Sequence, residues 1–335
     1  METLPATNRW VRIACGRPHW WAGRRLAATL VSITLLILAI AALVVQEVAF
    51  GAAPLLAITA FAPYIEFGAA ASLAIFAAGR MLAGVLLATA CLIGLVVTHA
   101  GLFVADTAPS GPRLTVLTAN LKVGGADARD LVASVRSHHV DVLMVQELTG
   151  PELDALSAAG LGAMLPYSVS EARPLYAGTG MWSRYPLSGI SRRSDFVNAF
   201  VTASIRPSAA MPAVQLAALH LPGPFPVSAD WTRDVERLRH LLAGWSRAAP
   251  VIIGGDFNAT LDTARFHTLL ADGFRDAADQ AGAGLTATYP ADLWLPPLIA
   301  IDHVLTRDAV ATRIDTLTIP GSDHRALLVR IGVAG

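Results

Sequence analysis

The feature that most constrains this chain of 335 residues is a long, almost uncharged stretch near its N-terminus. Residues 26–105 carry only three formally charged side chains, Glu47, Glu66 and Arg80, whereas the rest of the chain has an ordinary composition. A helix needs about 20 apolar residues to cross the hydrocarbon core of a bilayer, so this stretch is long enough for several crossings. The sequence therefore predicts a membrane segment followed by a water-soluble domain.

The membrane segment, residues 26–104, is expected to contain about three helices. Residues 26–45 and 81–104 are uninterrupted apolar runs, and a further helix is predicted over roughly 55–78. Pro63 lies inside that middle helix and indicates either a kink or a helix start, because proline breaks the hydrogen-bond ladder. Whether the middle stretch crosses the bilayer decides the number of spans.

The orientation follows from the arginines. Residues 1–25 form a basic tail, which is expected to stay in the cytoplasm because basic flanks of membrane helices are retained there. With three spans, the soluble domain lies on the extracytoplasmic side of the cell membrane. If residues 48–78 do not cross, the domain is cytoplasmic instead.

The soluble part has a weakly acidic balance that bears on its partners. From Asp106 onward there are 19 basic and 22 acidic residues, a net charge near −3. Proteins that bind nucleic acid through phosphate contacts are usually basic, so this negative net charge argues against strong non-specific DNA binding. The two cysteines, Cys15 and Cys91, both precede this part, so no disulfide can cross-link it.

A Pro/Gly/Ser-rich linker over 105–112 separates the membrane segment from the predicted catalytic domain, residues 113–335. Short β-rich runs alternate there with a few amphipathic helices, which predicts an α+β fold of two packed, mainly antiparallel sheets flanked by helices in four layers. The predicted strands are 113–121, 141–147, 167–172, 179–185, 200–206, 214–220, 251–256, 301–306, 312–319 and 325–332, and the predicted helices are 127–138, 151–159, 228–246 and 263–272.

Polar residues recur where buried apolar strands end or begin. They are Asn120, Glu147, His220, Asp256, Asn258, Asp302 and the pair Asp323 and His324. A strand that ends in such a residue delivers a rigidly held polar group to one rim of a sheet. Each has a purely structural alternative: Glu147 can cap the next helix, and Asp256 to Asn258 can form a simple Asx turn.

Taken together, these side chains favour water attack at a phosphorus centre. Glu147 and Asp256 offer hard oxygen ligands suited to Mg²⁺ or Mn²⁺, and an Asp-His pair can act as a base or contact phosphate. The soluble part has no cysteine nucleophile, no G-x-S-x-G elbow and no Gly-Lys-Ser/Thr of a phosphate-binding loop. These absences favour a metal-assisted mechanism over a covalent one.

Five short motifs occur in an informative order: TANL (118–121), QE (146–147), GDFN (255–258), IDH (301–303) and SDH (322–324). In this order the chain resembles the endonuclease/exonuclease/phosphatase superfamily, which includes deoxyribonucleases, apurinic endonucleases and sphingomyelinases. The resemblance covers roughly 113–332. With its apolar N-terminal helices, the chain is similar to the membrane-anchored bacterial branch of that superfamily.

The resemblance implies a metal site and an attacking group. Glu147 would bind the divalent metal, Mg²⁺ or Mn²⁺, with Asn120 beside it as a ligand. Asp256 would orient and deprotonate the attacking water. Asn258 would hold the scissile phosphate.

The resemblance also implies roles for the remaining polar residues. His324 would bind the phosphoryl oxygen and stabilise the pentacovalent state, and Asp323 would pair with it. Asp302 would support the catalytic histidine or a second metal position. His220 would protonate the leaving oxygen.

The resulting prediction is a membrane-anchored, divalent-metal-dependent hydrolase of phosphoester bonds. A general phosphodiesterase or nuclease ranks first, and a lipid head-group phosphodiesterase of the sphingomyelinase kind, or a phosphatase, ranks second. A non-catalytic membrane protein that binds a phosphorylated ligand is a third alternative. The expected partners are the lipid bilayer and a phosphoester substrate, either nucleic acid or phospholipid head group, with no obligate protein partner.

Overall fold

The computed structural model describes residues 19–49, 51–107, 109, 111–209, 211–225 and 228–333. Most of the predicted basic tail, up to residue 18, therefore lies outside the described residues. The part of the tail that is described is helical, because the first helix already begins at His19 rather than at residue 26.

The N-terminal helical segment, residues 19–103, consists of five helices and a short 3-10 turn. They are α1 (His19–Gln46), α2 (Ala53–Ala60), α3 (Ala62–Glu66), α4 (Gly68–Ala78), α5 (Leu82–His99) and the turn Ala100–Phe103. Among the described residues, two helical stretches are long and apolar enough to cross a membrane, Gly23–Gln46 and Leu82–Phe103. The stretch Ala53–Ala78 adds a third crossing if its bent halves form one span.

The stretch predicted as a helix over roughly 55–78, with a kink or a helix start at Pro63, bends by 61° after Ala60. α2 ends there, and Pro63 lies in the first turn of α3. Proline has no backbone N–H to donate and its ring collides with the carbonyl four residues earlier, so it suits a helix start and not a helix interior. The break leaves α2 at an angle to the long helices.

The long helices run alternately up and down. The Ser72 hydroxyl of α4 donates to the Ser32 carbonyl of α1 at 2.9 Å, and Thr29 near the start of α1 lies 3.6 Å from the sulfur of Met81. The turn between α4 and α5 therefore lies at the N-terminal end of α1. The ends of α1 and α5, together with α2 and α3, lie at the opposite end, where the C-terminal domain begins.

The C-terminal domain, residues 113–333, contains twelve strands among its described residues. They are β1 (Arg113–Asn120), β2 (Val142–Gln146), β3 (Tyr167–Glu171), β4 (Thr179–Ser183), β5 (Ser188–Arg193), β6 (Phe200–Ile205), β7 (Val214–His220), β8 (Val251–Asp256), β9 (Arg275–Asp276), β10 (Asp302–Arg307), β11 (Ala309–Thr318) and β12 (Arg325–Val333). Its helices are α6 (Ala128–Ser137), α7 (Gly150–Ala158), α8 (Leu161–Met164), α9 (Ser228–Ala243), α10 (Ala264–His267) and α11 (Ala277–Gln280).

The strands form two six-stranded sheets that pack face to face. One sheet has the order β11-β12-β1-β2-β4-β3 and the other β5-β6-β7-β8-β10-β9. A dry core between them includes Val116 and Met144 from the first sheet and Leu216 and Ile252 from the second. Helices α6 and α7 cover the outer face of the first sheet, and α9 covers that of the second. The predicted fold class, two sheets flanked by helices, is confirmed.

Strand direction explains why the polar residues share one edge. Among the strand pairs of the described residues, only β1–β2 and β7–β8 are parallel. The carboxyl ends of parallel neighbours meet at the same edge, while an antiparallel strand begins where its neighbour ends. Accordingly Asp302, the first residue of β10, lies opposite Asp256, the last residue of β8.

Several local elements differ from the predictions, among them the short helices α8 and α11, which were not predicted. The helix expected over 263–272 stops at His267 and continues as a 3-10 turn, inside which Asp272 has a φ of +58°. The edge strands β5 and β9 were not predicted. β5 reads SGISRR and is mostly exposed, so it lacks the apolar alternation that identifies a strand. β9 has only two residues, which is too short for any pattern.

Candidate active site

A buried histidine–aspartate pair lies at the shared edge of the two sheets. His324, directly before β12, has its Nδ1 2.8 Å from Oδ2 of Asp302, at the start of β10. Burial by itself lowers the pKa of His324, but the charge and hydrogen bond of Asp302 outweigh burial and raise the pKa to about 10. His324 is therefore an imidazolium at neutral pH, and its Nε2–H is free to donate toward a negatively charged group.

Asp256 faces this imidazolium. Its Oδ2 lies 3.8 Å from Nε2 of His324, and its Oδ1 accepts a hydrogen bond from the backbone N–H of Asn258 at 2.8 Å. Burial raises the pKa of Asp256, and the nearby charge of Asp302 raises it further. A carboxylate with a raised pKa accepts a proton more readily than an ordinary aspartate does.

Asn258 and His220 form a second hydrogen-bonded unit beside Asp256. The amide Nδ2 of Asn258 donates to the Leu221 carbonyl at 2.9 Å, and Nε2 of His220 lies 3.2 Å from the same nitrogen. Because that amide nitrogen can only donate, His220 accepts at Nε2 and donates from Nδ1 to the Tyr176 carbonyl, 3.0 Å away. In this arrangement His220 orients Asn258, while its predicted role as proton donor stays a prediction.

Glu147 and Asn120 lie on the other side of Asp256. The Nδ2 of Asn120 donates to Oε1 of Glu147 at 3.1 Å and to Oδ2 of Asp256 at 3.0 Å. Glu147 follows β2 with a φ of +58°, and its Oε2 accepts from the backbone N–H of Val123 at 2.7 Å. This left-handed conformation is unusual for a residue with a side chain. Here it accompanies a carboxylate that points to the mouth of the sheets, which is the shared edge where the polar residues meet.

Asp323 lies in the same mouth but does not pair with His324 as the resemblance implied. The imidazole instead bonds to Asp302, which corresponds to the first of the two roles expected for that residue. Asp323 lines the open cleft, and its backbone carbonyl accepts from Ala291 at 2.7 Å. Its carboxylate adds negative charge near the imidazolium without fixing the orientation of the ring.

The acidic groups of the mouth fit a divalent cation. Among the described residues, no lysine or arginine forms an ion pair with Glu147, Asp256 or Asp302. Carboxylate and amide oxygens are the ligands that Mg²⁺ and Mn²⁺ prefer. One atom each of Asp256, Asp302 and His324 lie within 4.8 Å of one another, close enough to share a cation, although the hydrogen bond of Nδ1 to Asp302 favours the protonated ring. Glu147 offers a further carboxylate ligand, and Asn120 orients it by donating from its amide nitrogen, while the Asn120 amide oxygen accepts from the backbone N–H of Lys122 at 2.9 Å.

Most of the site residues line a cleft of about 950 Å³, with Asn120 and Asp302 behind its surface; those that line it are Glu147, His220, Asp256, Asn258, Asp323 and His324. Its walls include residues that the sequence reading did not identify as part of a site, namely Leu56, Ala57, Ala60, Phe61, Tyr176, Phe225, Tyr289 and Leu298. Tyr289 packs on the His324 ring with centroids 4.8 Å apart, and the tripeptide TYP (288–290), which precedes the IDH motif along the chain, is a signal by which the sequence could have identified it. The residues of α2 carried no such signal, because their apolar sequence is that of any membrane segment.

A second buried histidine–aspartate pair supports the loop that carries Asn258. His303 bonds through Nδ1 to Asp276 at 2.8 Å and through Nε2 to the Ala259 carbonyl at 2.8 Å. The ring also packs against Phe266, with centroids 4.5 Å apart. His303 is enclosed by protein on all these sides, so it braces the loop and does not face the cleft.

Comparison with known proteins identifies the family of the chain. The family model described as "Endonuclease/Exonuclease/phosphatase family" matches residues 117–324. That range contains all eight residues predicted for the site. No curated protein sequence matches the chain.

Several solved structures share the fold of the C-terminal domain. TDP2 of D. rerio complexed with a single-strand DNA product is 17% identical, with 65% of this chain and 98% of that chain covered and a TM-score of 0.55. An AP endonuclease from Archaeoglobus fulgidus is 14% identical, covering 64% and 98%, with a TM-score of 0.54. An endonuclease/exonuclease/phosphatase from Bacteroides vulgatus is 16% identical, covering 66% and 99%, with a TM-score of 0.54.

Proposed function

Because this chain belongs to the endonuclease/exonuclease/phosphatase family, whose members are metal-dependent phosphoester hydrolases, we propose that it is a membrane-anchored phosphodiesterase that uses in-line attack by water. The observation that carries the proposal is the convergence of Asp256, Asn258 and the His324–Asp302 pair at one mouth, beside Glu147. Hydrolysis needs a base, a group that binds the phosphate and a group that stabilises the negative charge developing on the phosphoryl oxygen. This mouth contains a candidate for each.

The proposed reaction uses the side chains in three roles. Asp256 accepts a proton from water as the water oxygen bonds to phosphorus and the bond to the leaving oxygen breaks. His324 donates a charged hydrogen bond from Nε2 to the phosphoryl oxygen, where negative charge accumulates, while Asp302 keeps the ring protonated and oriented. Asn258 binds a second phosphoryl oxygen when one of its amide N–H groups turns from His220 to the substrate, and the departing oxygen takes up a proton from solvent water.

Glu147, with Asn120, would hold the divalent cation, Mg²⁺ or Mn²⁺. When bound, such a cation neutralises charge on the phosphoryl group and on the leaving oxygen. The carboxylate of Glu147 supports this assignment, because no lysine or arginine of the described residues forms an ion pair with it.

The proposed location is the cell membrane, with several crossings and an extracytoplasmic C-terminal domain. The arrangement of α1, α4 and α5 supports three crossings, because the turn at Arg80 lies at the N-terminal end of α1 and the C-terminal domain lies at the other end. Arg24, Arg25 and Arg80 thus belong to one end of the bundle, which supports a cytoplasmic location for that end.

Two substrate classes contain the required phosphoester. A nucleic acid is supported by the fold relative from D. rerio, whose structure contains a single-strand DNA product. A phospholipid head group is supported by the position of the cleft, which borders the N-terminal helical segment.

Hydrolysis of bis(p-nitrophenyl) phosphate by the full-length protein in detergent tests the proposed reaction. We expect turnover that requires Mg²⁺ or Mn²⁺ and stops with EDTA. Asp256→Asn and His324→Gln are expected to lower kcat by about 100-fold or more, as loss of a catalytic base or charged donor does. Asp154→Asn and His138→Gln, at exposed positions away from the cleft, are the matched controls. Full turnover in both site variants would contradict the proposal.

A further inference from the structure

One wall of the catalytic cleft does not come from the catalytic domain. Leu56, Ala57 and Ala60 of α2, and Phe61 at the break that follows, line the same cleft as Asp256. All four side chains are hydrocarbon, and Phe61 is 41% exposed. A substrate bound to the mouth of the sheets therefore lies next to an apolar surface that belongs to the N-terminal helical segment.

This wall is attached to the catalytic domain by polar contacts. The hydroxyls of Thr59 and Thr263 lie 3.1 Å apart, the Tyr64 hydroxyl donates to the Leu298 carbonyl at 2.5 Å, and Nε2 of His99 lies 3.3 Å from Oδ1 of Asp262. Thr263 and Asp262 belong to the loop that begins at Asn258. The apolar wall and the phosphate-binding loop are thus held in a fixed relation.

The lining of the cleft is poor in positive charge. Among the described residues that line it, none is lysine or arginine, whereas Glu147, Asp230, Asp256 and Asp323 are acidic. A nucleic acid strand is bound mainly through basic groups that follow its phosphates. In this cleft His324 can bind a single phosphate, and the apolar side chains of the wall can contact the neighbouring part of the ligand.

The rim of the cleft carries exposed apolar side chains beside the helical segment. The loop 291–297 lies between two cleft-lining residues, Pro290 and Leu298, and presents Leu293, Trp294 and Leu295 to solvent. Trp294 is 90% exposed. Exposed apolar patches mark interaction surfaces, and tryptophan is enriched where proteins meet the head-group region of a bilayer.

We propose that the substrate is a membrane phospholipid whose phosphate binds at Asp256, Asn258 and His324 while its hydrocarbon chain lies along the α2 wall. This inference rests on the proposed phosphoester hydrolysis and names the substrate class of that site. The lipid reaches the cleft from the bilayer in which α1 and α5 are embedded, so the phosphate need not leave the head-group layer. Leu56 and Phe61 determine specificity by contact with the chain.

A series of p-nitrophenyl alkyl phosphates tests this inference with the unmodified full-length protein in detergent. The esters share one phosphodiester and differ only in the alkyl group, from methyl to octyl. A fully buried methylene contributes about a 4-fold gain, and a half-covered one about 2-fold, so we expect kcat/KM to rise more than about 10-fold over the series. Equal kcat/KM for methyl and octyl esters would overturn the inference and leave the proposed hydrolysis intact.

A matched pair of variants distinguishes the effect of the wall on kcat/KM from the effect of general partitioning of the longer esters into detergent. Phe61→Ser removes a side chain of the wall, whereas Phe67→Ser removes an equally large, 60% exposed side chain of the same segment that does not line the cleft. We expect the octyl-to-methyl ratio of kcat/KM to fall about 4-fold in Phe61→Ser, for loss of roughly one methylene's worth of contact, and to stay unchanged in Phe67→Ser. An unchanged ratio in both variants would overturn the assignment of the wall.

A single-stranded DNA oligonucleotide and dioleoyl phosphatidylcholine vesicles complete the experiment. Mg²⁺-dependent release of the phosphorylated head group or of phosphatidic acid from the vesicles supports the inference. A higher kcat/KM on the oligonucleotide than on the octyl ester would overturn it in favour of a nuclease. Failure to hydrolyse any of these phosphodiesters would overturn the proposed function itself, and this inference with it.

Discussion

His324 and Asp302 form a buried ion pair in which Nδ1 lies 2.8 Å from Oδ2, and this pair joins the residue before β12 to the first residue of β10. These two strands belong to different sheets. The contact therefore ties the two sheets together at the edge where the cleft opens, and it keeps the imidazole charged at neutral pH.

Asp302→Asn is expected to change the pH dependence of hydrolysis. With the pKa of His324 raised from 6.5 to about 10, the imidazolium and the stability it contributes are fully present below pH 6.5 and are lost as the pH rises through about 10. Without the Asp302 charge, burial lowers the pKa of His324 and only the more distant charges of Asp256 and Asp323 remain to raise it. We therefore expect kcat/KM at pH 8.5 to fall about 100-fold, with a smaller loss at pH 6.

The measurement is kcat/KM of the full-length protein from pH 5.5 to 10.5, with Asp154→Asn as the exposed control. An alkaline limb that stays at the same pH in Asp302→Asn would show that Asp302 does not set the charge of His324.

Glu147→Gln is expected to weaken Mg²⁺ binding more than it lowers the stability of the fold. The substitution keeps the shape of the side chain but removes the charge that we assign to the cation. We expect the Mg²⁺ concentration for half-maximal hydrolysis to rise more than about 10-fold, the range seen when metal sites lose a supporting group. Glu236→Gln on the exposed face of α9 is the control, and an unchanged Mg²⁺ requirement in Glu147→Gln would remove Glu147 from the metal site.

Gly255→Ala is expected to prevent correct folding, whereas Gly254→Ala is tolerated. A Cβ on Gly255 would meet the backbone carbonyl oxygen of Leu219 in β7 at 2.0 Å, so the paired strands would have to separate. A Cβ on Gly254 would meet the flexible side chain of Met144 at 2.7 Å, which can move. We expect the free energy of unfolding to fall by more than about 3 kcal/mol in Gly255→Ala and by less in Gly254→Ala.

Thermal unfolding of the two purified variants in detergent measures this difference. Equal melting temperatures would show that the approach of β7 to β8 is not what requires glycine in GDFN.

Glu152→Gln is expected to stabilise the protein above pH 7. Glu152 is buried in α7, and burial, followed by repulsion from Asp127, raises its pKa from 4.5 to about 7. The folded state then binds the proton more tightly than the unfolded state, so stability is lost as the pH rises from 4.5 to about 7. We expect Glu152→Gln to raise Tm by roughly 3 °C at pH 8, corresponding to about 1 kcal/mol.

At pH 4 both proteins carry a neutral side chain, and we expect their Tm values to agree. Asp154→Asn in the same helix is the exposed control. A Tm increase of the same size at pH 4 and pH 8 would assign the effect to packing and not to ionisation.

Much of the fold could be predicted from sequence because the relevant signals are local. The apolar run 26–105 indicated the helical segment, and alternating patterns located most of the strands. The features that the sequence did not predict have weak local signals. β5 is exposed and β9 has only two residues, and the position of the bend after Ala60 depends on whether the helix begins before or after Pro63. The family resemblance read from the five motifs is confirmed by the match over 117–324.

The partners of the site residues could be predicted less well. Asp323 precedes His324 in SDH and the resemblance implied that they pair, yet the two residues lie in a bend before β12 and the imidazole bonds elsewhere. The packing of one sheet on the other supplies Asp302 instead. In the same way, His303 reads as part of the IDH motif, and only its enclosure by Asp276 and Phe266 shows that it supports a loop.

The sequence by itself determined the membrane-type segment, the alternation of strands and helices and the identity of the polar groups at the strand ends, because periodicity and residue chemistry are properties of short stretches. The tertiary structure alone decided that His324 pairs with Asp302 and that α2 forms a wall of the catalytic cleft. Both are contacts between residues far apart along the chain, and such contacts depend on how sheets and helices pack, which no local pattern records.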